Sequence, residues 1–574
     1  MINSPATTSF NDVHTKHTLT NMAASALVLP PFETVSNLSD QCDMPTPSYL
    51  PTPPSFACSP NPQVKALPRV DIPFVHQGST EKVMQARITE LTNAMEDEDA
   101  FFVSDLGEVY KALMSWRRCL TRVEPFYAVK CNPDPAVLHL LSLCGTGFDC
   151  ASQAEIMSVL SLPVPASPSK IIFANPCKPT SFIRAARSFG VDMMTFDNAD
   201  ELLKISKLYP TAKLVLRLLT DDSKSLCRLG LKFGAPVETC EGLLELASRL
   251  GLDVIGVSFH VGSGCKDPQM FEDACERARR VFDLGVQFGY RFGLLDIGGG
   301  FEKEYFETAA SVLNRALDRF FPVESGVRII GEPGRFLVST AFVLATNVVA
   351  RRSARTTYAG VLEEDALMNS LSGGGGAAAA EGAGATTPTS EGDEAGDMMT
   401  SSIFSLDGSL EGSKHLGDVG DDEQTPKVMY YINDGVYGSF NCIMFDHQIV
   451  HPFPLTLRAG TVTCPFPRSF PPNISLEEDL TVQMGYQRVP GGTEMASVWG
   501  PTCDSIDCVR NMVVLPRSLE VGDWLGWGEM GAYTCCAAST FNGFKKSTVL
   551  YTSGGDAVAA LEVNRILASC SLST

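Results

Sequence analysis

Between residues 126 and 331 the chain repeats one local pattern eight times: a short apolar run, a polar turn and an amphipathic stretch. The runs lie at 126–129, 147–150, 171–174, 193–196, 214–218, 254–260, 294–297 and 327–331. Stretches with apolar residues at helical spacing lie between them, for example at 153–160, 180–189, 199–208, 240–250, 269–288 and 308–320. Short continuous apolar runs mark strands buried on both faces, and parallel strands need crossover helices to join them. Eight strand-plus-helix units in about 200 residues predict a (β/α)8 barrel. A doubly wound open sheet uses the same local pattern, and periodicity alone leaves it open.

The flanks have a different texture. Residues 1–70 are rich in Pro, Ser and Thr without a sustained apolar period, which predicts a disordered tail. After Arg335 the chain turns to shorter alternating segments with many glycines and prolines, such as 429–432, 443–445 and 513–515, which predict strands of an all-β domain. The expected domains are therefore a barrel over 71–340 and a β-domain over 341–574, to which residues just before the barrel can contribute. The β-domain is interrupted by an acidic, low-complexity insert at about 361–426, expected to be a disordered loop.

Charge and composition exclude several classes. The net charge is −21, but residues 361–426 hold 14 acidic residues against one lysine, so most of the acidity belongs to the insert. Nothing resembles the basic footprint of a nucleic-acid binder. No apolar run approaches membrane-spanning length. The first arginine is Arg69 and the N-terminal region lacks a basic flank beside its weakly apolar stretch, so no secretory or transit signal is expected. The 18 cysteines are scattered, without a Cys-x-x-Cys pair, which suits reduced thiols in the cytoplasm. No metal site is expected.

In a parallel barrel the reactive groups collect at the C-terminal strand ends. Here that rim carries Lys130, Asp149, Asn175, Asp197, Arg217, His260, the glycines 298, 299 and 300, and Glu332. Singly, each has an ordinary structural reading: a tight corner, a satisfied core histidine, a paired lysine. Their recurrence on one rim favours a site. A lysine ending an apolar strand can be desolvated, which lowers its pKa and suits it to condensing with a carbonyl. Bare amides from Gly298, Gly299 and Gly300, with Ser263 nearby and Arg335 as a charged fork, can hold a phosphate. Glu332 can keep a pyridine nitrogen protonated, and His260 can offer a flat face to a ring. Together these describe a site for pyridoxal 5′-phosphate.

The same residues lie in segments that closely resemble the eukaryotic ornithine decarboxylases: PFYAVKCN at 125–132, GTGFDCAS at 145–152, SFHVGSGC at 258–265, DIGGGF at 296–301 and GEPGRF at 331–336. The resemblance continues through YINDGVYGSF at 431–440, GPTCDSID at 500–507, GDWL at 522–525, GAYT at 531–534 and FNGF at 541–544. It implies an alanine-racemase-like barrel with a second β-domain, forming a cytoplasmic homodimer whose active sites are built from both subunits. The implied reaction is decarboxylation of L-ornithine to putrescine, the first step of polyamine synthesis.

By this resemblance Lys130 carries the cofactor, Glu332 faces the pyridine nitrogen and His260 stacks on the ring. Ser263, Gly298, Gly299, Gly300, Arg335 and Tyr533 hold the phosphate, and Gly334 belongs to the cofactor-binding set. Asp149, Glu155 and Arg217 lie near the cofactor. Cys503 of the partner subunit protonates the α-carbon, and Asp504 with Asp446 of the other chain holds the distal ammonium. Phe445 stands where animal members usually carry tyrosine, and the acidic insert departs from the usual pattern. Other readings are a decarboxylase of lysine, arginine or diaminopimelate, and a catalytically inactive protein like the antizyme inhibitors. Antizyme itself is a candidate partner.

Overall fold

The computed structural model describes residues 67, 69–94, 98–353, 426–457 and 492–571. The tail expected over 1–70 and the insert expected over 361–426 lie almost wholly outside them.

The chain opens not in the barrel but in a sheet. Strand β1 (Val75–His76), a helix (Thr80–Ala94) and β2 (Phe101–Asp105) precede a second helix, Leu106–Cys119. That helix follows from its sequence: Leu106, Val109, Leu113 and Trp116 bury one face at helical spacing, and Arg117 and Arg118 meet the negative end of the dipole. The Asp105 carboxylate caps it by accepting from the Glu108 N–H at 3.1 Å.

Burial, reinforced by Glu108, pushes the Asp105 carboxyl up to about 6. A carboxyl whose pKa rises on folding costs stability above the folded value, and the cost fades as pH falls toward the unfolded value. Asparagine keeps the cap without the charge. Asp105→Asn should therefore stabilise the protein by roughly 1–2 kcal/mol at pH 8 and lose most of that gain by about pH 4, as read from urea unfolding at the two pH values.

The barrel then runs through β3 (Val123–Ala128), β4 (Gly147–Cys150), β5 (Ile171–Phe173), β6 (Met193–Phe196), β7 (Lys213–Arg217), β9 (Asp253–Ser258), β11 (Leu294–Asp296) and β12 (Arg328–Gly331). All neighbours are parallel, and β12 pairs with β3 to close the ring. Each expected apolar run overlaps one of these strands, and the closed ring shows the barrel rather than the open sheet. The helices Gln153–Leu160, Thr180–Phe189 and Ala199–Leu208 lie where they were expected, each between consecutive strands. Inward-facing residues, among them Phe126, Ile172, Met193, Val215, Leu294 and Ile330, form a separate apolar cluster that fills the barrel. Between barrel strands, β8 (Ser225–Cys227) and β10 (Ser263–Cys265) make a small antiparallel ribbon.

After the barrel, β13 (Phe342–Ser353), β14 (Val428–Ile432), β15 (Pro452–Pro454), β16 (Thr493–Trp499), β17 (Cys508–Pro516), β18 (Trp524–Trp527) and β19 (Thr548–Thr552) complete a nine-stranded sheet. In it β2 lies between β13 and β19, so residues before the barrel are integral to this domain. The expected strand at 443–445 is instead part of a short helix, Asn441–Asp446. Cys442 and Asp446 are buried while Met444 and Phe445 are exposed, an i, i+4 pattern rather than alternation. A three-residue apolar run cannot distinguish the two periods. Every cysteine whose side chain is described is an unpaired thiol. No described helix is long and apolar enough to cross a membrane.

Candidate active site

Strand β3 ends in one 3-10 turn, Val129–Cys131, which lifts Lys130 onto the C-terminal rim. Because Ala128 and Asp149 are register partners of β3 and β4, the Lys130 ammonium meets the fully buried Asp149 carboxylate and forms an ion pair. Burial alone pulls the lysine pKa down. The fields of Asp149, Glu332 and Tyr533 outweigh it and hold the amine above the ordinary lysine range. The lowered pKa expected from desolvation is thus reversed, because desolvation is answered by a carboxylate that the neighbouring strand supplies.

Glu332 follows β12 and is tied down by its own N–H, which donates to the Gly298 carbonyl at 2.7 Å. Burial drives its carboxyl well above the usual range, reinforced by Asp149 and Asp296 and opposed by Lys130. Asp296, at the end of β11, is itself pushed up to about 6, first by burial. Two polar atoms in this cluster, Asp149 Oδ1 and Glu332 Oε1, are buried without a hydrogen-bond partner. Buried polar atoms left bare are costly and point to a group that they are built to meet.

His260, just past β9, accepts from the Gly262 N–H through Nδ1 at 2.9 Å, which leaves its proton on Nε2. Burial, then Arg217 and Lys130, hold it neutral, far below the ordinary histidine value. Beside it, Gly298 and Gly300 have φ of 63° and 101°. A Cβ at Gly298 would lie 2.2 Å from the Phe259 carbonyl oxygen, and one at Gly299 would lie 2.9 Å from His260 Nε2. Only bare backbone fits here, which leaves the loop's surface open to an anion.

Arg335 begins the short helix Arg335–Val338, with Gly334 at its N-cap. A Cβ on Gly334 would crowd Cys131 at 3.0 Å, so this corner interlocks with the Lys130 turn. The Arg335 guanidinium pairs with Asp446, lies 3.0 Å from Glu302 and 3.5 Å from the Ser263 hydroxyl, and sits over the Tyr533 ring at 5.3 Å. Tyr533 is held at φ 55° and donates its N–H to the Cys131 carbonyl at 3.0 Å.

Asp446 is thereby placed against Arg335 and within 3.5 Å of the Cys227 thiol. Phe445 and Cys503 are exposed on the sheet domain. Asp504 accepts from the Tyr437 hydroxyl at 2.5 Å, which holds its carboxyl below the usual range. No hydrogen bond or ion pair among the described residues joins Phe445, Cys503 or Asp504 to Lys130.

The other rim residues serve the loops. Asp197 accepts from the Gly234 N–H at 2.8 Å, and Asn175 bridges Ala151 and Cys177. Glu155 accepts from the Ala151 N–H at 2.6 Å, near its own helix's N-terminus. Arg217, at the end of β7, lies over the Phe233 ring at 5.3 Å. Sequence reasoning gave no role to Asp296, Glu302, Cys227 or Tyr437. Asp296 was within sight, as the acid that opens the segment at 296–301.

The lysine, the bare glycine cradle, the neutral imidazole and the orphaned carboxylate oxygens fit pyridoxal phosphate. The class that this fold and site define is the pyridoxal-dependent decarboxylases: residues 106–339 match their pyridoxal binding domain and residues 411–531 their C-terminal sheet domain. The chain is 44% identical over 456 residues to the ornithine decarboxylase of Schizosaccharomyces pombe, covering 79% of this chain and 84% of that protein. It belongs to the ornithine decarboxylase family. It is also 40% identical over 486 residues to antizyme inhibitor 2 of Xenopus laevis, covering 84% of this chain and 87% of that one. The arginine decarboxylase of Paramecium bursaria Chlorella virus, solved bound to agmatine, superposes with a TM-score of 0.61 at 28% identity, covering 82% of this chain and all of that one.

Proposed function

We propose that this chain is a pyridoxal-phosphate-dependent carboxy-lyase that converts L-ornithine to putrescine and carbon dioxide, working as a homodimer in the cytoplasm. The observation that carries the reading is the Lys130–Asp149 ion pair beside buried Glu332 and the glycine cradle. Pyridoxal phosphate, when bound, supplies the electron sink that receives the bonding pair of the departing carboxylate.

The chain's residues do the rest. Lys130 tethers the cofactor through its amine and regains that place after each turnover. The Gly298, Gly299 and Gly300 amides, with Ser263, Arg335 and Tyr533, hold the phosphate, and Gly334 belongs to the cofactor-binding set. Glu332, its carboxyl strengthened as a base by burial, shares a proton with the pyridine nitrogen, and Asp296 buttresses it. His260, neutral, would offer its flat face to the cofactor's ring, while Asp149 and Arg217 fix the charge around Lys130. Cys503 of the partner subunit delivers a proton to the α-carbon. Asp504 and Asp446 receive the distal ammonium, with Phe445 beside them; two carboxylates favour a diamine end over a neutral or acidic one.

The test is an absorbance spectrum of the purified protein, then carbon dioxide release from ornithine, lysine and arginine in parallel. A cofactor band removed by borohydride, with release mainly from ornithine, is expected. A colourless protein that stays inactive with added pyridoxal phosphate would overturn the reading. It would favour the second one, a sequestering protein like the Xenopus relative, for which antizyme binding is the measurement to make.

The shared site makes a separate prediction. Exposed Cys503 and half-buried Asp504 are proposed to complete the site of a second subunit. Lys130→Ala and Cys503→Ala, each nearly inactive alone, should recover about a quarter of wild-type activity when mixed and re-paired, since half the dimers are then mixed and each has one complete site. A mixture no more active than its components would place the whole site in one chain.

A further inference from the structure

We propose that the opposite end of the barrel carries a second binding site, for a small phosphomonoester with an apolar body. Lys130, Asp149 and Glu332 stand at strand ends, whereas a cavity of about 370 Å³ opens where the strands begin. Met193, Lys213, Leu294 and Arg328 line it, and they are the first residues of β6, β7, β11 and β12. The length of the barrel therefore separates the two sites.

The cavity joins two kinds of surface. Its floor is Met193, Ile255 and Leu294, which belong to the apolar cluster inside the barrel or pack on it. Its rim is Lys213, Arg291 and Arg328, against one lining carboxylate, Asp192. Counted with Glu124, which Arg328 holds, the three cations face two carboxylates, a local excess of one cation. Two of the three cations already have partners. Lys213 lies 2.7 Å from Asp192, and Arg328 is held by both oxygens of Glu124 at 2.9 and 2.8 Å. These pairs fix the rim in place. Arg291 is exposed and has no ion-pair or hydrogen-bond partner among the described residues.

Salt bridges at the base of a barrel commonly serve stability, and a closed base would need nothing more. Here an unpaired guanidinium overlooks an accessible apolar floor instead. A guanidinium fork beside fixed cations suits a phosphate, and its flat face can stack on a planar ring. The floor gains only if the ligand also carries an apolar body. The volume falls at the lower end of the usual small-molecule range, about 300–1,000 Å³.

Gly293 provides the control. A Cβ there meets nothing within 4 Å, and its N–H and carbonyl are both used, by Ile255 and Arg328. A side chain at this position can fill the cavity without disturbing the strand. The experiment is calorimetric titration of the holoprotein, loaded with pyridoxal phosphate at its catalytic site and then freed of excess cofactor, with adenosine monophosphate and with inorganic phosphate. Saturating the cofactor site first keeps either probe out of the phosphate cradle.

Saturable binding of the nucleotide, at least tenfold tighter than inorganic phosphate, is expected. Arg291→Glu should weaken it tenfold or more. Gly293→Leu should abolish it while decarboxylation stays unchanged. No saturable heat, equal binding of both probes, or binding untouched by both substitutions would overturn the proposal.

Discussion

Replacing Lys130 by alanine is expected to lower turnover by roughly three orders of magnitude or more and to abolish covalent labelling by borohydride in the presence of the cofactor. The size of the effect follows from the site's construction. Lys130 is placed by the 3-10 turn that ends β3, and its amine is the group proposed to carry the cofactor. The same substitution also strips a fully buried carboxylate, Asp149, of its cation, which costs roughly 3–5 kcal/mol in stability when one partner is removed. Lys130→Arg separates the two consequences. It keeps a cation beside Asp149 and should unfold close to the wild type, yet it cannot form the covalent link. Near-normal turnover or labelling in the arginine variant would refute the role given to Lys130, whatever happened to the alanine variant.

A methyl group at Gly298 should be nearly as damaging, without removing any functional group. The Cβ would lie 2.2 Å from the Phe259 carbonyl oxygen, on a residue whose φ is 63°. The left-handed backbone costs about 1–2 kcal/mol for an L side chain, and the close contact is with backbone, which cannot swing aside. Both strands of the rim would have to shift. Gly298→Ala is expected to weaken pyridoxal phosphate binding by about a hundredfold, equivalent to roughly 2.7 kcal/mol, as measured by titrating the apoprotein. Gly242 is the matched control. It lies in the helix Val237–Arg249, and a Cβ there meets nothing within 4 Å. Gly242→Ala should leave cofactor binding alone and stabilise the helix by about 0.5–1 kcal/mol.

The two substitutions test features that differ in how they could be read from the residues. The barrel was legible because a parallel strand buried on both faces leaves a continuous apolar run; β4 and β6 coincide with one, and β3 and β7 overlap one. Lys130, Asp149, His260 and Glu332 were legible as rim residues for the same reason: once a strand is located, its C-terminal end is located too. Partnerships across the fold were not. That Arg335 faces Asp446 depends on a helix over Asn441–Asp446, where three apolar residues had suggested a strand. The raised lysine pKa depends on the register of β3 and β4, which no local pattern specifies. The place of β1 and β2 in the second domain likewise needs long-range pairing with β19 and β13, hundreds of residues away.

That pairing has a consequence for how the protein is made. Strand β2 leaves the ribosome before any barrel strand, but its parallel neighbour β19 follows all of them. At about 5–20 residues per second, the interval between them is roughly 20–90 s. For that time Phe101, Phe102 and Val103, fully enclosed in the finished molecule, belong to a strand with an open edge, and for about the second half of it, once β12 is made, they wait beside a barrel that already has all its strands. Nascent chains stalled before residue 548 should therefore be the species that chaperones hold and that self-associate, whereas release of the last strand closes the sheet in a single step.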